Sequence, residues 1–446
     1  MLFRWNPREY LALFSYVVKW FCLVAPVAAA IGSACALFLW ALERHEYTPG
    51  AAGAFVFVAV AGTGMSVLYN RFGSTAEGGN NLLMDAIRGH DTGDHSIVIP
   101  RRMAPFILVA TVATHLFGGS AGREGTAMQM GGSIASAFGR RLKLNSADTR
   151  TLLMTGIAAG FGGIFGTPVA GAVFAAEVLA LPQMNYRSLM PCFIAAIIGD
   201  WACRAWGIHH LQYAISSAAS HLSGAMVNWI LAAKVALAAV AFGLVSALFA
   251  ALTHGIQHFF KSTIKRPVLR PVIGRLAIIA LTYLLGTRDH LGLGDASSSP
   301  NSATILSSFS PGGADDWSWF WKLLFTAITL GSGFKGGEVT PLFFIGAALG
   351  NVLSGVLGAP IDLFAALGFV AVFAGASNTP LACTLMGIEL FGFQYAIYFA
   401  IACFLSYLFS GHSGIYLSQR SGIFKFGGSE LPAGSSLRGV REPLKS

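Results

Sequence analysis

The residues of this 446-residue chain that could do chemistry lie in glycine-rich stretches, not at catalytic or metal-ligand spacings. In Gly122-Arg123-Glu124-Gly125-Thr126 a carboxylate stands between two uncharged runs. A carboxylate deep in a membrane costs roughly 2.5–3.5 kcal/mol on insertion scales, so an ionisable group there is a functional candidate. At a helix start Glu124 would be stabilised by free backbone N–H groups, and it could give way there to a competing anion. A salt bridge from Arg123 or simple helix capping accounts for the charges but leaves the glycines unexplained.

Three further segments offer donors to an anion. Gly336-Gly337-Glu338-Val339-Thr340-Pro341 opens an apolar helix, with proline in the first turn where its missing N–H costs nothing. The N–H groups of Val339 and Thr340 and the Thr340 hydroxyl could face an anion, while Glu338 and Lys335 read as a pair. In Gly78-Gly79-Asn80-Asn81-Leu82-Leu83 the Asn80 amide supplies N–H donors, an ordinary N-cap asparagine being the alternative. Tyr416, after the last long apolar run, reads either as an interface anchor or as a donor to a buried anion. Glu177 and Glu389 fit capping or packing.

No metal or cofactor is expected. His115, His254 and His258 lack partners at metal spacing, and H-E-x-x-H is absent. The six cysteines occupy apolar surroundings without C-x-x-C spacing, as small buried hydrophobes do.

The elements that must hold these residues are membrane helices. Hydrophobic residues make up 54% and charged residues 11%, against about 25% charged in soluble chains. A soluble fold could not cover its surface with so little charge, which excludes soluble enzymes, secreted scaffolds and disordered proteins. Runs long enough to span are Trp20 to Leu42, Ala51 to Tyr69, Met103 to Gly122, Thr151 to Ala176, Val235 to Phe260, Val339 to Ile361, Leu363 to Ile388 and Leu390 to Gln419. Several are interrupted by glycine and proline, and Gly125 to Gly139, Ser188 to Gly199 and Leu323 to Phe334 are too short to cross. With 53 glycines, this predicts helices that stop inside the membrane around a protected cavity. The net charge of +9 fits cytoplasmic loops rich in Lys and Arg, with no nucleic-acid partner. Both termini are assigned to the cytoplasm, and no cleavable signal peptide is expected.

The chain also repeats itself. Gly119-Ser120 returns as Gly331-Ser332, Thr167-Pro168 as Thr379-Pro380, and Glu177 as Glu389, each 212 positions on (331 − 119 = 379 − 167 = 389 − 177 = 212). Flanking charge stands at the start of the first half (Arg4, Arg8, Lys19) and at the far end of the second half's first helix (from Lys261), so the halves are inverted. Inverted repeats with broken helices mark transporters whose site lies at the repeat interface.

In order and spacing these segments resemble the CLC family of chloride channels and proton-coupled anion antiporters, from about residue 15 to 420. GREGT at Gly122 to Thr126 is similar to that family's G-K/R-E-G-P element, GGEVTP at Gly336 to Pro341 to its G-G-x-F-x-P element, and GNNLL at Gly79 to Leu83 stands where G-S-G-I-P is usual. The resemblance implies an all-α integral membrane fold of two inverted-topology repeats with many broken or re-entrant helices. Its implied organisation is an N-terminal segment (1–16), repeat 1 (17–222), repeat 2 (223–419) and a short basic tail (420–446) without a regulatory domain. It also implies that Glu124 gates the pathway and carries the proton, and that Asn80, Gly125, Val339, Thr340 and Tyr416 bind the anion. Departures from the family pattern are Thr126, Leu83, Val339 and Asn80, with Val178 where chloride/proton antiporters carry an inner glutamate. Together they resemble the fluoride/proton antiporter branch. The expectation is a homodimeric, lipid-embedded antiporter of the bacterial inner membrane that exports fluoride against inward protons and is not an enzyme. The alternative is a chloride/proton antiporter or passive chloride channel of the same family.

Overall fold

The computed structural model describes residues 7–46, 78–93, 97–181, 186–216, 228–295, 297, 302–421 and 425. The predicted span Ala51 to Tyr69 lies outside them, as do residues 1–6 and 426–446. Fourteen α-helices are formed among the described residues. The first half holds α1 (Pro7–Glu46), α2 (Gly79–Thr92), α3 (Met103–Leu116), α4 (Glu124–Arg141), α5 (Ser146–Phe165), α6 (Pro168–Glu177) and α7 (Tyr186–Ala205). The second holds α8 (Trp229–Thr263), α9 (Leu269–Leu285), α10 (Ser318–Gly331), α11 (Val339–Leu357), α12 (Ile361–Ser377), α13 (Pro380–Phe391) and α14 (Ala396–Phe409). A two-residue parallel pairing, Ala180–Leu181 with Arg420–Ser421, ties the end of the second half to the first.

The interrupted runs break where the backbone must turn left-handed. Thr151 to Ala176 divides into α5 and α6 at Gly166 (φ 70), and Leu363 to Ile388 into α12 and α13 at Asn378 (φ 56). Glycine and asparagine tolerate that region and end helices in it. Pro168 and Pro380 then start the next helices, where no N–H is missed. Leu390 to Gln419 is interrupted at Gly392 (φ 103), and α14 stops at Phe409, leaving Tyr416 in non-helical chain. Ser188 to Gly199, read as too short, lies within the 20-residue α7, which is long and apolar enough to cross. The apolar run understated it because Arg187 and Asp200 lie inside the helix. α9 is not an apolar run in the sequence because Arg270 and Arg275 interrupt it; Arg275 is nonetheless 3% exposed, its guanidinium donating to Gly118 O at 2.8 Å.

The two halves repeat in contacts as well as in sequence. A Cβ at Gly131 would come within 2.1 Å of Gly156 O, and one at Gly346 within 2.0 Å of Gly368 O. The α4/α5 and α11/α12 pairs therefore cross through matching glycines, the close packing that membrane helices favour. Glu177, at the end of α6, accepts from the N–H groups of Leu381 (3.0 Å) and Ala382 (2.8 Å) at the start of α13. Glu389, on α13, accepts from Val169 (2.9 Å) and Ala170 (2.7 Å) at the start of α6. Such reciprocity is what a two-fold relation produces, and it explains both glutamates as caps.

Removing the Glu177 cap strands the buried N–H of Ala382, at about 1–3 kcal/mol, whereas the N–H groups that Glu389 caps are nearer the surface. Glu177→Ala should lower the thermal midpoint in detergent by several degrees, and Glu389→Ala by less. Unchanged midpoints in light-scattering or dye-based melts would contradict the capping role.

Candidate functional site

The site is built on the segment between α3 and α4, which many bonds hold down. The His115 ring lies between Thr111 O (Nδ1, 2.8 Å) and Ala121 O (Nε2, 2.9 Å). The Ser120 hydroxyl meets that of Thr326 at 2.9 Å, and Ser120 N–H donates to Thr329 Oγ1 at 3.1 Å. Gly122 and Gly337 exchange two backbone hydrogen bonds, 2.7 Å and 2.8 Å, in an antiparallel bridge between the halves. That bridge sets the first residues of α4 against those of α11. Its offset is 215 (337 − 122), three more than the sequence repeat, and the 212 offset returns by Gly166 and Asn378.

Glu124 is fully buried at this junction. Its Oε1 accepts from Val339 N–H. Its Oε2 accepts from Thr340 N–H (3.3 Å), the Thr340 hydroxyl (3.2 Å) and Arg123 N–H (2.9 Å). The carboxylate thus fills a cradle of four donors, three of them at the N-terminus of α11, where free N–H groups and the helix dipole favour negative charge, and one, Arg123 N–H, at the start of α4. Two of the predicted anion ligands, Val339 and Thr340, therefore meet the predicted gating group. Gly125 packs on the same seam: a Cβ there would lie 3.1 Å from Gly337 Cα and 3.0 Å from Asn80 Nδ2.

Asn80 and Tyr416 belong to the neighbouring space. Both line a cavity of about 480 Å³ whose walls also include Gln129, Lys261, Arg270 and Glu338. Asn80 is in the first turn of α2 and makes no side-chain N-cap, so the capping alternative is set aside. Its Oδ1 is buried without a partner. Tyr416 is 2% exposed, its hydroxyl 3.9 Å from Met128 Sδ, so the interface-anchor alternative is set aside too. Lys335, expected beside Glu338, lines the same cavity. Val178 is fully buried.

Sequence reasoning passed over Gln129, which is 5% exposed, lines this cavity and has an unpartnered Oε1. The signal was its place five residues after Glu124, on the same short helix. It also passed over the pairing of the Thr111 and Thr126 hydroxyls at 2.6 Å, which closes α4 on α3 where proline is usual. No group of three or more metal-ligating side chains occurs among the described residues.

Comparison with known proteins finds relatives over most of the chain. Residues 55–411 match the family model described as voltage gated chloride channel. A chloride/fluoride channel protein of Pseudomonas syringae pv. tomato is 44% identical over 423 residues, 95% of this chain and 91% of that protein. An H(+)/Cl(-) exchange transporter of Vibrio vulnificus is 27% identical over 294 residues, 62% of this chain and 59% of that one. The crystal structure of a CLC-type fluoride/proton antiporter superposes with a TM-score of 0.82 at 32% identity, covering 90% of this chain and 97% of the other. A slow cyanobacterial Cl-/H+ antiporter shares the fold, with a TM-score of 0.71 at 19% identity, over 88% and 94% of the two chains.

Proposed function

The chain belongs to the voltage gated chloride channel (CLC) family of membrane proteins, and from that premise we propose that it is a fluoride/proton antiporter. It exports fluoride from the bacterial cytoplasm in exchange for inward protons. The observation that carries this reading is the buried Glu124 carboxylate in four anion-seeking donors. A carboxylate and a halide compete for those donors, so anion entry requires Glu124 to leave, and leaving favours its protonation. One group thereby links both fluxes.

Fluoride is the preferred anion on chemical grounds. It is small, strongly hydrated and a strong acceptor, so losing its water is offset only by several good donors. Asn80, Thr340 and Tyr416 supply side-chain donors, and Gly125 and Val339 contribute backbone at the same seam. The relatives' names point the same way. Position 178 is an apolar valine and offers no carboxyl to relay protons, so the proton route is assigned to the large cavity, whose wall carries Glu338. Lys261, Arg270 and Lys335 on the walls of that cavity support a cytoplasmic opening and cytoplasmic termini. The working unit is a homodimer in lipid with one pathway per subunit, and the reading needs no cofactor.

The test compares fluoride and chloride efflux from vesicles. The wild type should move fluoride far faster. Asn80→Ser should lower the fluoride-over-chloride ratio by roughly tenfold or more, since one hydrogen bond to a charged group is worth about 1.5–3 kcal/mol. Equal rates for both halides in the wild type would return the protein to the chloride antiporter or channel reading.

A further inference from the structure

The His115 ring, which helps to hold the segment that presents Glu124, stands between two acceptors. Nδ1 lies 2.8 Å from Thr111 O and Nε2 2.9 Å from Ala121 O, both at ordinary N–H···O distances. A backbone carbonyl cannot donate. A neutral imidazole has one N–H and one lone pair, so it satisfies one carbonyl and turns the lone pair on the other. Only the imidazolium, with both ring nitrogens protonated, makes both bonds at once.

The two carbonyls are not equivalent. Thr111 lies one turn before His115 in α3, where its oxygen also belongs to the helix's own ladder. Ala121 is fully buried, and among the described residues no other group donates to its oxygen. A buried carbonyl without a donor is costly. Ala121 also leads directly into the site: Gly122 bridges to Gly337, and Arg123 N–H donates to Glu124 Oε2. The other ties on this segment, Ser120 to Thr326 and Thr329 and Arg275 to Gly118 O, hold whether or not His115 is charged.

The sequence repeat singles this residue out. Position 327, 212 after His115 (327 − 115 = 212), is a buried alanine. The histidine therefore belongs to the half that presents Glu124 and has no counterpart in the other. Charges of both signs act on the ring, Lys322 from α10 and Asp295 from the chain after α9. Asp295 pairs with Arg123 at 3.4 Å, and the Lys322 ammonium donates to Gly292 O at 2.9 Å.

We infer that His115 is a positioning residue for Glu124 whose grip depends on a proton of its own. Charged, it pins Ala121 O as well as Thr111 O and fixes the turn ahead of Glu124. Neutral, it keeps the helix carbonyl and lets Ala121 go. The inference rests on the antiport reading above and adds a second proton-sensitive group to it. Fluoride and proton movements are tightly coupled while His115 is charged, and the coupling slackens as the ring loses its proton.

The experiment takes two readings on the full-length protein. Solid-state nitrogen-15 spectra of histidine-labelled protein in lipid, wild type minus His115→Gln, isolate the two ring nitrogens between about pH 8 and about pH 4. Both should carry protons at the acid end and only one at the alkaline end; His115→Asn gives the same subtraction through a shorter amide. Vesicle fluxes over the same range should show the wild type passing roughly tenfold more fluoride per proton at the alkaline end, about 1.4 kcal/mol of lost hold. That change should centre on the pH at which the ring titrates, and His115→Gln should leak at every pH. A ring that stays neutral, or stays charged, throughout the range overturns the inference. So does a His115→Gln protein that melts earlier but keeps the wild-type flux ratio at each pH, the mark of a purely structural residue. Wild-type vesicles that move fluoride without protons at any pH overturn the antiport reading itself, whatever state the ring takes.

Discussion

Glu124→Gln is expected to lose proton transport while fluoride continues to cross. The amide cannot take up and release a proton at these pH values, and positioned acid-base groups accelerate proton transfer by roughly 10²–10⁴-fold. Proton flux should therefore fall by about 10²-fold or more. Fluoride flux should persist, because the amide is also a poor occupant of the cradle. Val339 N–H, Thr340 N–H, the Thr340 hydroxyl and Arg123 N–H all donate to the carboxylate, and an amide turns an NH2 group towards some of them. Those donors then stand open to an anion. Fluoride and pH electrodes on the same vesicle suspension measure both fluxes, and tightly coupled exchange by Glu124→Gln would remove Glu124 from its assigned role.

Gly337→Ala should produce a similar loss of coupling by a different route. A Cβ there would lie 2.0 Å from Glu124 Oε1, 2.6 Å from its Cδ and 2.8 Å from Gly125 N. The side chain can swing out of the way, but the Gly125 backbone cannot move without shifting the start of α4. The carboxylate is therefore displaced from its donors, and anions pass without a fixed number of protons. Residues in direct contact are non-additive, so Gly337→Ala combined with Glu124→Gln should leak about as much as either alone. Gly337→Ala with wild-type coupling would mean that the cradle has room the geometry does not show. A melt in detergent separates displacement from unfolding.

The sequence displayed the fold class and the glycine-rich motifs, and lost the helices that carry charge. GREGT and GGEVTP carried their chemistry on their face, since glycines beside a membrane carboxylate have little structural purpose except to bring backbones close. Helix breaks at Gly166-Thr167-Pro168 and Asn378-Thr379-Pro380 were also readable, because left-handed residues followed by proline end one helix and begin another. Where helices carry charge, periodicity and hydropathy lost the signal. Arg187 and Asp200 hid the full length of α7, and Arg270 and Arg275 hid α9, although Arg275 is tied into the segment that presents Glu124. The three-residue slip between the 212 and 215 offsets was out of reach, because only the Gly122 to Gly337 bridge fixes it. Gln129 was passed over for a similar reason. It does not sit in a glycine-rich motif, and what marks it is an unpartnered Oε1 beside a cavity shared with Asn80 and Tyr416, which a linear sequence does not display.

The proposed antiport couples fluoride export to proton entry through a pathway that Glu124 occupies. The most direct measurement loads vesicles of wild-type protein with sodium fluoride, clamps the membrane potential at zero, and follows external pH as fluoride leaves. Protons should move into the vesicles as fluoride leaves, even against a pre-set proton gradient, and an equal chloride gradient should drive much less proton uptake. Rapid fluoride efflux with no proton movement, or proton uptake driven equally well by chloride, would contradict it.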